Sequence, residues 1–233
     1  MPQTILVKTV ADLRHHLAPR RAAGQRIGFV PTMGALHAGH LSLVRAARRD
    51  CNCVVVSVFV NPTQFVAGED YHSYPRCLQA DLHACQREAV DLLFAPEVSE
   101  MYGPEPRTTV HVAGLTEPLC GAHRPGHFDG VSTVVAKLLN IVQPHVAYFG
   151  QKDAQQAVVL QKMVADLFFP VQIVVCPTVR DHDGLALSSR NAYLTPDQRR
   201  QARCLYQALQ LAARQIAHGQ RDSHNLIQLM QNH

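Results

Sequence analysis

The chain has 233 residues, 47% hydrophobic and 17% charged, which are values typical of a globular protein. Its formal net charge of +4, without any basic run, argues against a nucleic-acid surface but suits a small anionic substrate. No signal-peptide pattern is present, and no apolar run reaches the about 20 residues of a membrane span. The seven scattered cysteines lack a disulfide pattern. We therefore expect a cytoplasmic protein with reduced, mostly buried thiols and no membrane or nucleic-acid partner.

Predicted helices and strands alternate over the first three quarters of the chain. Helices predicted from apolar residues at helical spacing lie at about 9–23, 40–49, 75–88, 131–142 and 154–166. Predicted strands lie at 26–30, 53–60, 90–94, 108–112, 145–150 and 171–176, and several are apolar runs typical of buried parallel strands. This alternation predicts an α/β fold with a Rossmann-like, doubly wound parallel sheet.

The pattern becomes helical after Val179. Thr195-Pro196-Asp197-Gln198 fits a capping box with proline at the first helical position, which predicts a helix that continues to about residue 217. Gly219 ends that helix, and a shorter one follows. We expect a nucleotide-binding domain at 1–180 and a smaller helical portion at 181–233.

Polar clusters follow the predicted strands at their carboxyl ends, where parallel sheets bind ligands. The clusters are Thr32-Met33-Gly34 with His37-Ala38-Gly39-His40, Asn61 to Gln64, Gly150-Gln151-Lys152-Asp153 with Gln155-Gln156, and Ser188-Ser189-Arg190. The first is the most informative because a strand runs into a two-glycine turn where a helix begins. Backbone N–H groups and a helix N-terminus there suit the phosphates of a nucleotide. A turn with two surface histidines is the alternative.

The charged residues of these clusters also have alternatives. Lys152 suits a phosphate or is a surface lysine. Asp153 would accept from ribose hydroxyls, hold hydrated Mg²⁺ or cap a helix. Ser188-Ser189-Arg190 offers two hydroxyls and a guanidinium fork, which together suit a phosphate.

The uncharged candidates and the absent motifs limit the chemistry further. Gln64 and Gln156 either contact a small hydroxy acid or lie on the surface. Arg124 and His127 either supply donors near an anion or belong to a loop. The sequence has no Gly-x-Ser-x-Gly elbow, Walker A loop or three-glycine dinucleotide fingerprint, so serine hydrolysis and hydride transfer lack support.

Six motifs in order resemble the pantoate–β-alanine ligase family, from the N-terminus to about residue 205. They are Pro31-Thr32-Met33-Gly34-Ala35-Leu36-His37-x-Gly39-His40, Phe59-Val60-Asn61-Pro62-x-Gln64-Phe65, Tyr74-Pro75-Arg76, Arg124-Pro125-Gly126-His127-Phe128-x-Gly130-Val131, Phe149-Gly150-x-Lys152-Asp153-x-Gln155-Gln156 and Asp183-Gly184-Leu185-Ala186-x-Ser188-Ser189-Arg190-Asn191. His-x-Gly-His alone marks only the wider nucleotidylyl-transferase group. The chain departs from the usual family residues at Thr63, Gln151, Ala154 and Leu187.

The resemblance implies ATP-dependent condensation of pantoate with β-alanine to give pantothenate, a coenzyme A precursor. It implies a pantoyl-adenylate intermediate, with pyrophosphate and then AMP released. ATP would be a co-substrate, Mg²⁺ would bind mainly through the ATP phosphates rather than to a protein metal site, and the enzyme would be a homodimer.

The resemblance also implies roles for individual residues. His40, as proton donor, would be catalytic together with His37, Lys152 and Arg190. ATP would contact Met33, Gly34, His37, His40, Gly150, Lys152, Asp153, Val179, Leu187, Ser188, Ser189 and Arg190. Gln64 and Gln156 would hold pantoate, with Asn61 near the β-alanine route. The family usually continues into a small closing domain that is shortened here. A non-catalytic nucleotide-binding relative therefore stays open. A nucleotidylyl transferase that binds another substrate through the same strand-end residues also stays open.

Overall fold

A computed structural model describes residues 3–233 of the chain. The chain divides into two compact units, the first ending at Pro177 and the second comprising Thr178–His233. The division of function between 1–180 and 181–233 stays a prediction.

The first unit contains a six-stranded sheet in which each neighbouring pair is parallel. Its strands are β1 (Ile5–Val7), β2 (Ile27–Thr32), β3 (Cys53–Val58), β4 (Leu92–Phe94), β5 (Val146–Gly150) and β6 (Gln172–Cys176). The spatial order is β1-β4-β3-β2-β5-β6. After β2 the chain builds toward one edge, and from β5 it builds toward the other. The sheet therefore has a topological switch point beside β2, which is where doubly wound folds bind ligands.

Helices cover both faces of this sheet. They are α1 (Val10–Ala22), α2 (Ala38–Asp50), α3 (Leu78–Arg87), α4 (Val98–Met101), α5 (Cys120–His123), α6 (His127–Val142) and α7 (Ala154–Asp166). Buried residues of α1, α6 and α7 pack with Phe29 and Val55, whereas those of α2 and α3 pack with Val30 and Val54. Because neighbouring strand residues point to opposite faces, both faces of the central strands are buried, as the apolar runs predict.

The second unit is mainly helical, with α8 (Pro196–Ala202), α9 (Cys204–Ala217) and α10 (Ser223–Gln231). The predicted capping box is confirmed, because Thr195 accepts from the Gln198 N–H and the Gln198 side chain accepts from the Thr195 N–H. The prediction of one continuous helix to about residue 217 is wrong, since the helix is interrupted at Arg203.

Two further expectations need correction, and one strand is missing from the prediction. Residues 108–112 form no strand, and the N–H of Val110 donates to Thr133 Oγ1 instead of to a strand partner. The edge strand β1 was not predicted. Helix α2 begins at Ala38, two residues before the predicted start, so His37 becomes its N-cap.

The sequence predicts that most thiols are buried and that no segment is long and apolar enough to span a membrane. Among the seven cysteines, all of them free, Cys51, Cys53, Cys85 and Cys176 are buried, so most thiols are buried as predicted. None of the helices within residues 3–233 combines the length and apolar character needed to cross a membrane.

Candidate active site

The turn after β2 is fixed by hydrogen bonds to its neighbours. Thr32 Oγ1 donates to the Ser57 carbonyl at 2.7 Å and accepts from the Gly34 N–H at 3.1 Å. Gly34 has a φ of +88°, and a Cβ there would lie 2.8 Å from Val58 Cγ1. Only glycine combines this backbone conformation with this approach to β3.

Asp81 of α3 holds the next two residues of the turn. Its carboxylate accepts from the Ala35 N–H at 3.1 Å and the Leu36 N–H at 2.7 Å, and the residue is only 2% exposed. Burial raises the pKa of this carboxyl, and the two backbone hydrogen bonds oppose that rise. Sequence reasoning missed Asp81. The available signal was an acid on the apolar face of the predicted helix, between Leu78 and Cys85.

His37 and His40 form a capping box at the start of α2. His37 Nδ1 accepts from the Gly39 N–H at 3.1 Å, and His40 Nδ1 accepts from the His37 N–H at 3.4 Å. The two ring centroids are 4.1 Å apart. Because both Nδ1 atoms accept, we assign the hydrogen of each neutral ring to Nε2. The pair thus offers two N–H donors from neighbouring rings.

Lys152 acts electrostatically on both histidines. It lies in a one-turn 3₁₀ helix (Gln151–Asp153) directly after β5. Burial, together with the smaller effects of His37 and Lys152, lowers the pKa of His40 to about 3. Burial, followed by Lys152, also lowers the pKa of His37. Both imidazoles are therefore neutral near pH 7, and Lys152 carries the positive charge of this group.

The prediction that the turn's backbone N–H groups face a phosphate needs revision. Five of these groups already donate to protein side chains, namely those of Gly34, Ala35, Leu36, His37 and Gly39. The ring Nε2–H groups are not used in these backbone hydrogen bonds, and Lys152 adds an ammonium group that is 41% exposed.

The turn after β3 forms a second wall of the candidate site. It contains Asn61 and a 3₁₀ helix, Pro62–Gln64. Asn61 is 1% exposed, and its Oδ1 accepts from the N–H and hydroxyl of Thr63 and from the Tyr102 hydroxyl. Its Nδ2 donates to the Gly130 carbonyl at 3.1 Å. With its amide engaged on both sides, Asn61 supports the turn, and its predicted nearness to β-alanine stays a prediction.

Gln64 joins the two turns. Its Nε2 lies 3.0 Å from Met33 Sδ, and its Oε1 accepts from Asn61 Nδ2 at 3.3 Å. Met33 and Gln64 were predicted to serve different substrates, and here they touch. A thioether is a weak acceptor, so little energy opposes exchange of this contact for a ligand hydroxyl.

The remaining candidates are placed in both units. Gly150 precedes the Lys152 turn, Asp153 Oδ1 lies 3.9 Å from Lys152 Nζ, and Gln156 is half-buried in the first turn of α7. In the second unit, Ser188 caps a 3₁₀ helix (Ser189–Tyr193) and accepts from the Arg190 N–H, while the Leu187 N–H donates to the Val179 carbonyl. The predicted ATP contacts of these second-unit residues stay predictions.

The fold and the strand-end groups define a class of protein before any comparison is made. A doubly wound sheet has neutral imidazole donors after β2 and a lysine after the adjacent β5, at its switch point. This arrangement is that of an α/β enzyme acting on an anionic, nucleotide-like ligand.

Comparisons with known proteins give the family. The chain matches the family described as pantoate-beta-alanine ligase over residues 5–233. The pantothenate synthetase of Moorella thermoacetica is 57% identical over 218 residues, which are 94% of this chain and 77% of that protein. The crystal structure of pantothenate synthetase from Thermus thermophilus has a TM-score of 0.91 at 54% identity, covering 100% of this chain and 81% of that one.

A third relative was crystallised with ligands. This pantoate-beta-alanine ligase from Francisella tularensis, complexed with beta-gamma ATP and β-alanine, has a TM-score of 0.82 at 40% identity. The match covers 89% of this chain and 79% of that chain.

The chain belongs to the pantoate-beta-alanine ligase family, and it is an ATP-dependent ligase that joins pantoate to β-alanine. The resemblance, the α/β fold and the enzyme class expected from the sequence are thereby confirmed. Of the alternatives left open, a transferase acting on another substrate and a non-catalytic relative are both less well supported than this ligase.

Proposed function

We propose that the chain makes pantothenate in two steps, with the His37–His40 pair and Lys152 acting on the ATP phosphates. A carboxylate oxygen of pantoate attacks the α-phosphorus of ATP, the bond to the bridging oxygen breaks, and pyrophosphate leaves. The amine of β-alanine then attacks the acyl carbon of pantoyl adenylate, AMP leaves, and the nitrogen loses a proton. The observation that carries this proposal is geometric: His37 and His40 lie with their ring centroids 4.1 Å apart where α2 begins after β2, and the Lys152 turn follows the neighbouring strand β5.

The first step needs charge neutralisation rather than a base. A carboxylate is already ionised near pH 7, so the site has to align it with phosphorus and stabilise the leaving pyrophosphate. Lys152 supplies a full positive charge, and His37 and His40 supply neutral N–H donors. Because burial, together with the nearby His37 and Lys152, lowers the pKa of His40 to about 3, we propose hydrogen-bond donation for His40 in place of the proton donation inferred from sequence. Each such donor contributes roughly 10²–10³-fold in rate.

Pantoate and Mg²⁺ are assigned by the chemistry of the remaining groups. We propose that the Gln64 amide binds a pantoate hydroxyl in exchange for Met33 Sδ, and that Gln156 supplies a second uncharged contact. Mg²⁺ prefers phosphate oxygens and water, and the exposed Asp153 carboxylate beside Lys152 fits an ion carried mainly by ATP. Bound there, the ion would neutralise charge on the phosphates. We further propose that the enzyme is a homodimer, as the family resemblance implies.

Pantoate-dependent exchange between ATP and labelled pyrophosphate tests the first step. We expect exchange with pantoate and Mg²⁺ in the absence of β-alanine, and AMP release once β-alanine is added. Omitting pantoate is the control and should abolish exchange. Exchange supported equally by unrelated hydroxy acids would contradict the pantoate assignment, and AMP formation with no exchange would contradict a reversible adenylate step.

A further inference from the structure

An ion pair lies behind the turn that carries Gln64. The Glu69 carboxylate accepts from Arg124 Nε at 2.5 Å and from Arg124 Nη2 at 2.7 Å, in the two-pronged geometry that makes such pairs strong. The two side chains are only 22% and 26% exposed. Glu69 Oε2 also accepts from the Val66 N–H at 3.1 Å, which ties the carboxylate to the chain just after the turn. Glu69 is thus held at both oxygens.

A chain of hydrogen bonds, here called the relay, runs from Glu69 through Arg124 and His127 to the backbone of Gln64. Arg124 Nη1 donates to His127 Nε2 at 3.0 Å, and His127 Nδ1 donates to the Gln64 carbonyl at 2.6 Å. The guanidinium has no acceptor, so His127 must accept at Nε2 and carry its hydrogen on Nδ1. Burial, the largest cause, lowers the pKa of His127, as the charge of Arg124 also does, so the neutral ring that this relay requires is favoured.

The turn is also held from its other side. The α6 backbone at Gly130 approaches so closely that a Cβ there would lie 2.2 Å from the Thr63 carbonyl oxygen. Asn61 donates to the Gly130 carbonyl across the same contact. The backbone of Gln64 is therefore fixed between α6 and the Arg124–His127 relay.

We propose that Glu69 and Arg124 are positioning residues for pantoate, acting through His127 on the backbone from which the Gln64 amide extends. This inference rests on the proposed assignment of pantoate to Gln64. A site that recognises a small hydroxy acid by uncharged hydrogen bonds needs its amide held to a fraction of an ångström, because misplacement by about 1 Å costs roughly 10²-fold in rate. Neither Glu69 nor Arg124 has to touch the substrate for this effect.

Glu69→Gln tests the proposal, since glutamine keeps the size of the side chain but removes its charge and one acceptor. We expect the KM for pantoate to rise about tenfold, while the KM for ATP stays within about twofold, because the His37–His40–Lys152 group is not part of the relay. Arg124→Gln should show the same split. In the double variant the KM for pantoate should rise no further than in the more impaired single variant, because both substitutions break the same relay.

Glu88→Gln is the matched control. Glu88 forms another two-pronged pair with Arg45 of α2, and neither residue belongs to the Asn61–Gln64 turn or to the Glu69–Arg124–His127 group. The Glu88→Gln substitution should leave the KM for pantoate unchanged. An unchanged pantoate KM in Glu69→Gln, equal rises in both KM values, or an equal rise in Glu88→Gln would overturn the inference. Failure of the proposed function is distinguishable, because it would appear as absent pantoate-dependent exchange in the unsubstituted enzyme.

Discussion

Gly130→Ala should lower kcat/KM for pantoate, because the added methyl group displaces the backbone of the Gln64 turn. A Cβ at this position would lie 2.2 Å from the Thr63 carbonyl oxygen and 2.7 Å from the Gln64 nitrogen. An ordinary carbon–oxygen contact begins at about 3.3 Å, so α6 and the turn must separate by roughly 1 Å. The backbone cannot rotate away as a flexible side chain would, and Gln64 must move with it.

This displacement sets the expected size of the effect. We expect kcat/KM for pantoate to fall roughly 10²-fold, because a shift of about 1 Å in a positioning group costs that much. Overpacking should lower the free energy of unfolding by about 1–3 kcal/mol. The assay is AMP release at varied pantoate with ATP and β-alanine saturating, together with denaturant unfolding of the same variant.

Gly103→Ala is the control for this prediction. Gly103 has no atom within 4 Å of an added Cβ and needs no left-handed backbone. It should leave both activity and stability near their original values. A folded Gly130→Ala enzyme whose kcat/KM for pantoate lies within threefold of the original would refute the claim that the Pro62–Gln64 turn positions pantoate.

Other predictions concern the histidines and the assembly. His40→Ala should lower pantoate-dependent exchange roughly 10²–10³-fold at an unchanged circular dichroism spectrum, and near-original exchange would remove His40 from the mechanism. The pKa of His40 is lowered from 6.5 to about 3 in the folded chain. Between these pH values the unfolded chain therefore binds a proton at His40 and the folded chain does not. The free energy of unfolding should consequently fall as the pH is lowered from 6.5 toward 3. His40→Gln should flatten that slope in denaturant melts, and an unchanged slope would refute this origin. Light scattering should give about twice the 25.8 kDa chain mass if the proposed dimer forms; the chain mass itself would exclude it.

The sheet could be predicted because its signals are local. The β-branched run that begins at Cys53 and the helical spacing after His127 each identify an element without knowledge of its partners. Because the carboxyl ends of parallel strands share one edge of the sheet, the sequence also predicts that Lys152 lies near the histidines. The segment 108–112 has the residues of a strand, but Val110 bonds to Thr133 of α6 instead, and no local pattern reveals such a tertiary partner.

The residues that hold the site were harder to predict than those expected to touch ligands. Asp81, 45 positions beyond Leu36 and 46 beyond Ala35, bonds to the backbone of both, and Glu69 pairs with Arg124 across 55 positions. Each looks in the sequence like an ordinary helix or loop acid. Their function depends on a partner that only the fold supplies.

The histidine pair shows how local and tertiary effects combine in one group. The capping box follows from the three-residue spacing, and it fixes both Nδ1 atoms as acceptors of backbone N–H groups. Burial then keeps the rings uncharged, and Lys152 adds to this effect from the neighbouring strand end. A charged histidine would satisfy the same anion but would have to give up the acceptor at Nδ1 and with it the cap of α2. Neutral rings beside a separate lysine therefore let one pair of histidines begin the helix through Nδ1 and present N–H donors at Nε2.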